Sequence, residues 1–139
     1  MDVLALIGRI LFVLIALGSA LGGHFGATSA TASYAESRGL KNARFWVLAS
    51  GAWLLVAAIS VIFGIFPDLG ALMFSVFALI AAFSIHHFWT DDDPMTKQME
   101  QTQFMKDLSI AGGGLIAFAY FVTLGESAAF VILGPLFNL

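Results

Sequence analysis

A chain of 139 residues that is 60% hydrophobic and 11% charged, with a mean hydropathy of +0.94, is no water-soluble domain, because soluble domains carry about a quarter charged residues. Its net charge of −3 offers no basic surface for nucleic acid. Without cysteine it has no disulfide, thiolate metal site, iron–sulfur ligation or dithiol redox chemistry.

The length suits a single membrane domain, residues 1–139. The N-terminus does not read as a signal peptide, since Asp2 stands where a basic region would be and the apolar run is long. Four apolar runs follow one another, at residues about 3–21, 45–66, 69–88 and 108–124. Each is near the roughly 20 residues needed to cross about 30 Å of hydrocarbon. The runs are continuous and do not alternate, and a lipid-exposed segment must pair its own backbone amides. The predicted fold is therefore an all-α integral membrane protein, a four-transmembrane-helix bundle.

The first run contains one charge, Arg9, about two turns from its start. On a helix Arg9 shares a stripe with Ala16, Ala20 and roughly His24, all small or polar. Two readings stay open: Arg9 snorkels to the headgroups, or it is a buried cation paired with a carboxylate or a ligand oxygen. Residues 22–44 are rich in Gly, Ala, Ser and Thr and read as a long loop. The second and third runs form a hairpin, with Pro67 ending one helix and Asp68 capping the next. His86, His87 and Trp89 close the third run, with His86 on the smaller, more polar stripe and Trp89 in the aromatic belt.

Asp92-Asp93-Pro94 is a helix start. Met95, Met99, Thr102 and Met105 then recur at helical spacing opposite Lys97, Gln98 and Gln101, which predicts a short amphipathic surface helix over about 94–105. Lys106 and Asp107 open the fourth span, where Asp107 complements the helix dipole. The tail, 127–139, is apolar but too short to cross, so it lies at the interface or against the bundle.

Small residues mark close helix contacts in lipid. Gly18 and Gly22 on the first helix, and Gly112, Gly113 and Gly114 on the fourth, are the expected packing positions. The long loops share one membrane side and hold Arg38, Lys41, Arg44, Lys97 and Lys106. The positive-inside rule puts them in the cytoplasm and both termini outside. That side also collects His24, His86, Trp89, Lys106 and Asp107. Adjacent histidines point about 100° apart on a helix, so no metal site is expected.

Four stretches together resemble the DoxX family of small bacterial four-helix membrane proteins: Ile7-Gly8-Arg9-Ile10-Leu11-Phe12; the Gly64 break followed by Gly70-Ala71-Leu72; His86-His87-Phe88-Trp89; and Phe104-Met105-Lys106-Asp107-Leu108 with Gly112-Gly113. The resemblance spans residues 5–122. Two features depart from it. Asp107 stands where asparagine is common, and no acid lies early in the second helix to pair with Arg9.

The resemblance implies a bacterial inner-membrane protein tied to respiratory or redox systems. The leading expectation is a non-catalytic subunit or anchor of a larger redox complex, partnered by other membrane subunits and the lipid bilayer, with no covalently bound cofactor. A quinone-binding redox subunit is the alternative, with a quinone or lipid ligand and polar donors drawn from His86, Arg9, Trp89, Lys106, Asp107 and His24. A small transporter or channel is a third class.

Overall fold

The computed structural model describes residues 2–137. The described chain is helical, without a named strand. Helix α1 (Asp2–Gly18) runs on into a π-helical stretch, Ser19–Phe25, which Gly26 N–H closes on Leu21 O at 2.8 Å. Gly22 and Gly23 lie inside that stretch, and their weak helix propensity suits the wider winding.

The segment expected to be a loop holds a helix, α2 (Thr28–Ser37). No Gly or Pro interrupts residues 27–38. Gly39, at φ +90, supplies the left-handed residue that ends it. Leu40 N–H bonds Ala35 O and Gly39 N–H bonds Glu36 O, the paired bonds of a glycine-terminated helix.

Helices α3 (Ala43–Phe63) and α4 (Pro67–Ser84) form the expected hairpin, but its cap differs. Phe66 is the N-cap, in a left-handed conformation, with Pro67 at the first helical position. Asp68 lies one residue further in, fully buried, and accepts Phe137 N–H at 2.8 Å instead of capping. Helix α4 stops at Ser84, so His86 and His87 follow the helix and take no helical stripe.

The predicted surface helix and fourth span are one continuous helix, α5 (Pro94–Leu124), of 31 residues. Nothing between Met95 and Ala111 breaks a helix. The expected boundary was a change from charged to apolar composition, which the backbone ignores. Asp93 caps α5 by accepting Thr96 N–H at 2.8 Å.

Helix α1 packs on α3, α3 on α4, and α4 on α5. The core is built from small and branched residues, including Val13, Ala16, Leu54, Ala57, Ala58, Ala71 and Phe74. Close approach of backbones replaces the hydrophobic drive that lipid cannot supply. A Cβ on Gly114 would collide with the Ser75 hydroxyl and lie 3.0 Å from Ala71 O, and one on Gly113 would lie 3.3 Å from the Phe12 ring. Gly18, Gly22 and Gly112 are a correction: each is exposed, with nothing within 4 Å of its Cβ position, so they pack against no helix of the described chain. Their positions turn them outward, and spacing alone cannot report direction.

Past α5, the tail folds back on the α3–α4 hairpin. Ile132 and Leu133 N–H both bond Gly64 O, and Phe66 N–H bonds Leu133 O. Gly64, at φ +63, is needed here, since a Cβ would strike Phe130 O and lie 2.7 Å from Val131 Cα.

Candidate functional site at the loop face

Arg9 and His86 belong to opposite ends of the bundle. Arg9 reaches the last turn of α3 at Val61, whereas Ile85 packs with Val47 near the start of α3. At ~1.5 Å per residue those levels lie about 20 Å apart. One headgroup cannot touch both residues.

The loop-face end carries a chain of hydrogen-bonded and ion-paired side chains from three segments. Tyr34, on α2, donates its hydroxyl to Glu100 Oε1 at 2.6 Å. Glu100 Oε2 is 2.8 Å from His86 Nδ1. His86 Nε2 is 3.7 Å from Asp107 Oδ2, and Lys106 Nζ is 3.3 Å from Asp107 Oδ1. Glu100 and Asp107 are both buried. They are seven residues apart on one continuous helix, two turns, and so share a face. Burial and the hydrogen bond to Glu100 push the Tyr34 phenol well above its ordinary value of 10.0. Asp107 Oδ2 is buried with no hydrogen-bond partner among the described residues. A carboxylate oxygen so placed beside an imidazole can accept a proton or a donor that the present arrangement does not supply.

A second node fastens α2 to the segment after α4. Arg38 donates to Asp91 Oδ1 at 2.7 Å and Oδ2 at 3.2 Å, and its Nε donates to Ile85 O at 2.8 Å. His87 turns toward this node, with Nε2 3.1 Å from Arg38 O and Nδ1 2.8 Å from Thr90 Oγ1. The two-pronged hydrogen bond from Arg38 holds the Asp91 carboxyl below the ordinary carboxylate value and raises the guanidinium's own.

Of the residues expected at one site, His86, Lys106 and Asp107 do come together. Trp89 belongs instead to an aromatic group, its ring centroid 5.7 Å from that of Phe104 and 6.4 Å from that of Phe83, half exposed. His24 is elsewhere: it lies against Gly51, with Nδ1 3.3 Å from Ser50 Oγ and its ring 5.9 Å from that of Phe77. Tyr34, Arg38, Asp91 and Glu100 were not expected. Glu100 was legible in principle from its two-turn spacing to Asp107, once residues 94–124 are treated as one helix. The two nitrogens of His86 face different acids and do not converge on one ion, and among the described residues no group of three or more metal-ligating side chains could hold a metal.

At the opposite end Arg9 is buried and forks between two segments. Its Nε donates to Val61 O at 2.8 Å, Nη2 to Ile62 O at 2.9 Å, and Nη1 to Ala129 O at 2.6 Å and Phe130 O at 3.2 Å. Snorkelling is not what it does. Its partners are backbone carbonyls, two of them the orphan acceptors that end α3, where a cation also complements the helix dipole. Its guanidinium also lies 5.4 Å from the centroid of the Phe121 ring.

The DoxX family model matches residues 4–87. Among curated proteins and among solved structures, no match is found.

Proposed function

The chain belongs to the DoxX family, and from that premise we propose that it is a non-catalytic membrane subunit that anchors a larger redox or respiratory assembly. The observation that carries this reading is the length of α5. Its 31 residues extend ~46 Å at 1.5 Å per residue, against about 30 Å of hydrocarbon. Its first third therefore extends beyond the hydrocarbon on the loop side. That arm exposes Met95 at 73% and Met99 at 62%. Methionine adapts to many contact shapes and is over-used at binding surfaces.

The loop-face charges support the same reading. Arg38, Asp91, Glu100 and His86 are spent on bonds within the chain, which hold α2 and the arm in place. Rigidity at a docking surface lowers the ordering cost of binding. We place this face in the cytoplasm of a bacterial inner membrane, because the basic residues Arg38, Lys41, Arg44, Lys97 and Lys106 gather there.

Purification in mild detergent tests the proposal, with a photo-crosslinking residue in place of Met99. A second polypeptide should co-purify and be cross-linked at that position. A chain that runs alone, cross-linked only to lipid, overturns it.

A further inference from the structure

Helices α1 and α5 leave a groove between them. The Phe12 ring opposite Gly113 is where they approach, and beyond it a cavity of roughly 300 Å³ opens toward the lipid. Its walls are Ala5 and Gly8 on α1 and Ile116 and Ala117 on α5. Apart from Arg9 and Tyr120, every residue lining it is apolar or glycine.

Arg9 brings a full positive charge to this groove, since a guanidinium keeps its proton in proteins. Among the described residues no carboxylate forms a salt bridge with it. Its recorded acceptors are backbone carbonyls, which orient the group but leave its net charge uncompensated. Four of its five N–H donors are used in those bonds, so one is left without an acceptor among the described residues. A cation in hydrocarbon costs roughly 3 kcal/mol or more, and an adjacent anion lowers that cost. The residue sits level with the last turn of α3, at the end of a candidate membrane span.

We propose that the α1–α5 groove binds one anionic phospholipid, with an acyl chain along Gly8 and Ala117 and the phosphate drawn to Arg9 and the Tyr120 hydroxyl. Charge complementarity selects the headgroup and the small residues admit the chain. Gly8 supplies a clean steric probe. Its Cβ position has nothing within 4 Å, so a larger residue fits the fold while filling the groove.

The test is native mass spectrometry of the whole chain, released from nanodiscs containing equal phosphatidylglycerol and phosphatidylcholine. The wild type should retain one phosphatidylglycerol with at least tenfold preference. Gly8→Phe should lose that lipid at unchanged thermal stability, and Ala117→Phe should lose it too. Arg9→Lys should keep the preference, because it keeps the charge. Equal retention of the two headgroups overturns the proposal, as does retention unaffected by both groove-filling variants. A quinone retained in place of phospholipid from native membranes also overturns it. The wild-type preference needs no variant, so it decides the matter even if a substituted chain misfolds.

Discussion

The guanidinium of Arg9 lies 2.6 Å from the carbonyl oxygen of Ala129, joining the start of the chain to a tail 120 residues later. The same side chain closes the end of α3 through Val61 and Ile62. Arg9→Leu should therefore do two things at once. It should lower stability by roughly 3 kcal/mol, because hydrogen bonds from a charged group are worth about 1.5–3 kcal/mol each and do not add fully. It should also free the tail, so that limited proteolysis cleaves beyond residue 127. Arg9→Lys should fall between, since an ammonium lacks the planar fork. A tail equally protected in Arg9→Leu would mean that Asp68 and Gly64 hold it unaided.

Tyr34→Phe removes the donor to Glu100 and leaves a buried carboxylate short of one partner. The expected loss is about 1–2 kcal/mol, read as a lower melting temperature in detergent. The wild-type phenol carries a signed pH effect. Its folded-state value is raised, so its contribution is fully present below its ordinary value of 10.0 and is lost as pH rises above that value. Above pH 10.0 the folded wild type should gain no more phenolate absorbance than Tyr34→Phe, whose one tyrosine is Tyr120, and a second phenolate appearing at about that ordinary value would show that the Tyr34–Glu100 bond does not form.

The spans were legible because lipid simplifies the code. Continuous apolar runs between Pro67, Gly64 and the charged loops located α3 and α4 to within a few residues. What escaped notice depends on contacts. Apart from Tyr34 and Glu36, residues 28–37 carry short polar and alanine side chains and no strong apolar period, so α2 looks like a loop until Gly39 is recognised as its stop. The join inside α5 was hidden by a change in hydropathy that has no effect on hydrogen bonding. Once it was hidden, the Glu100–Asp107 face was hidden as well, and with it the cluster around His86. For Arg9 the absence of an acid on the second helix was visible in the sequence. That carbonyls of a returning tail would serve as acceptors was not, because no local pattern encodes a partner 120 residues away.

Acid should release α2 from the segment after α4. Arg38 holds the Asp91 carboxyl below its ordinary 3.8, so the ion pair contributes at all pH values above that and is lost as pH falls through the depressed folded value. The protection of the α2 amides, corrected for the intrinsic exchange rate at each pH, should fall as pH drops below 3.8. Asp91→Asn should raise exchange already at neutral pH and flatten the acid response of α2. The cap at Asp93 titrates in the same direction through Thr96, but it opens the start of α5, so the two effects separate by position. An α2 whose exchange is insensitive to both acid and Asp91→Asn would remove this ion pair from the account.

Gly112 and Gly114, two residues apart on α5, should respond oppositely to enlargement. Gly114 faces α4 so closely that a Cβ would collide with the Ser75 hydroxyl, which already donates its O–H, shared between Ala71 O and Ala111 O. Gly114→Leu must push α4 and α5 apart or break that bond, an overpacking cost of about 1–3 kcal/mol. Gly112 has open space at its Cβ position. Gly112→Leu should be neutral or raise the melting temperature, because leucine is the better helix former by up to about 1 kcal/mol. The comparison also reports on assembly. In the isolated chain only Gly114→Leu should destabilise. If Gly112→Leu leaves the isolated chain intact yet dissociates a co-purifying partner, then the partner's helix lies on that glycine. If it destabilises the isolated chain as strongly as Gly114→Leu, then α5 is turned differently about its axis.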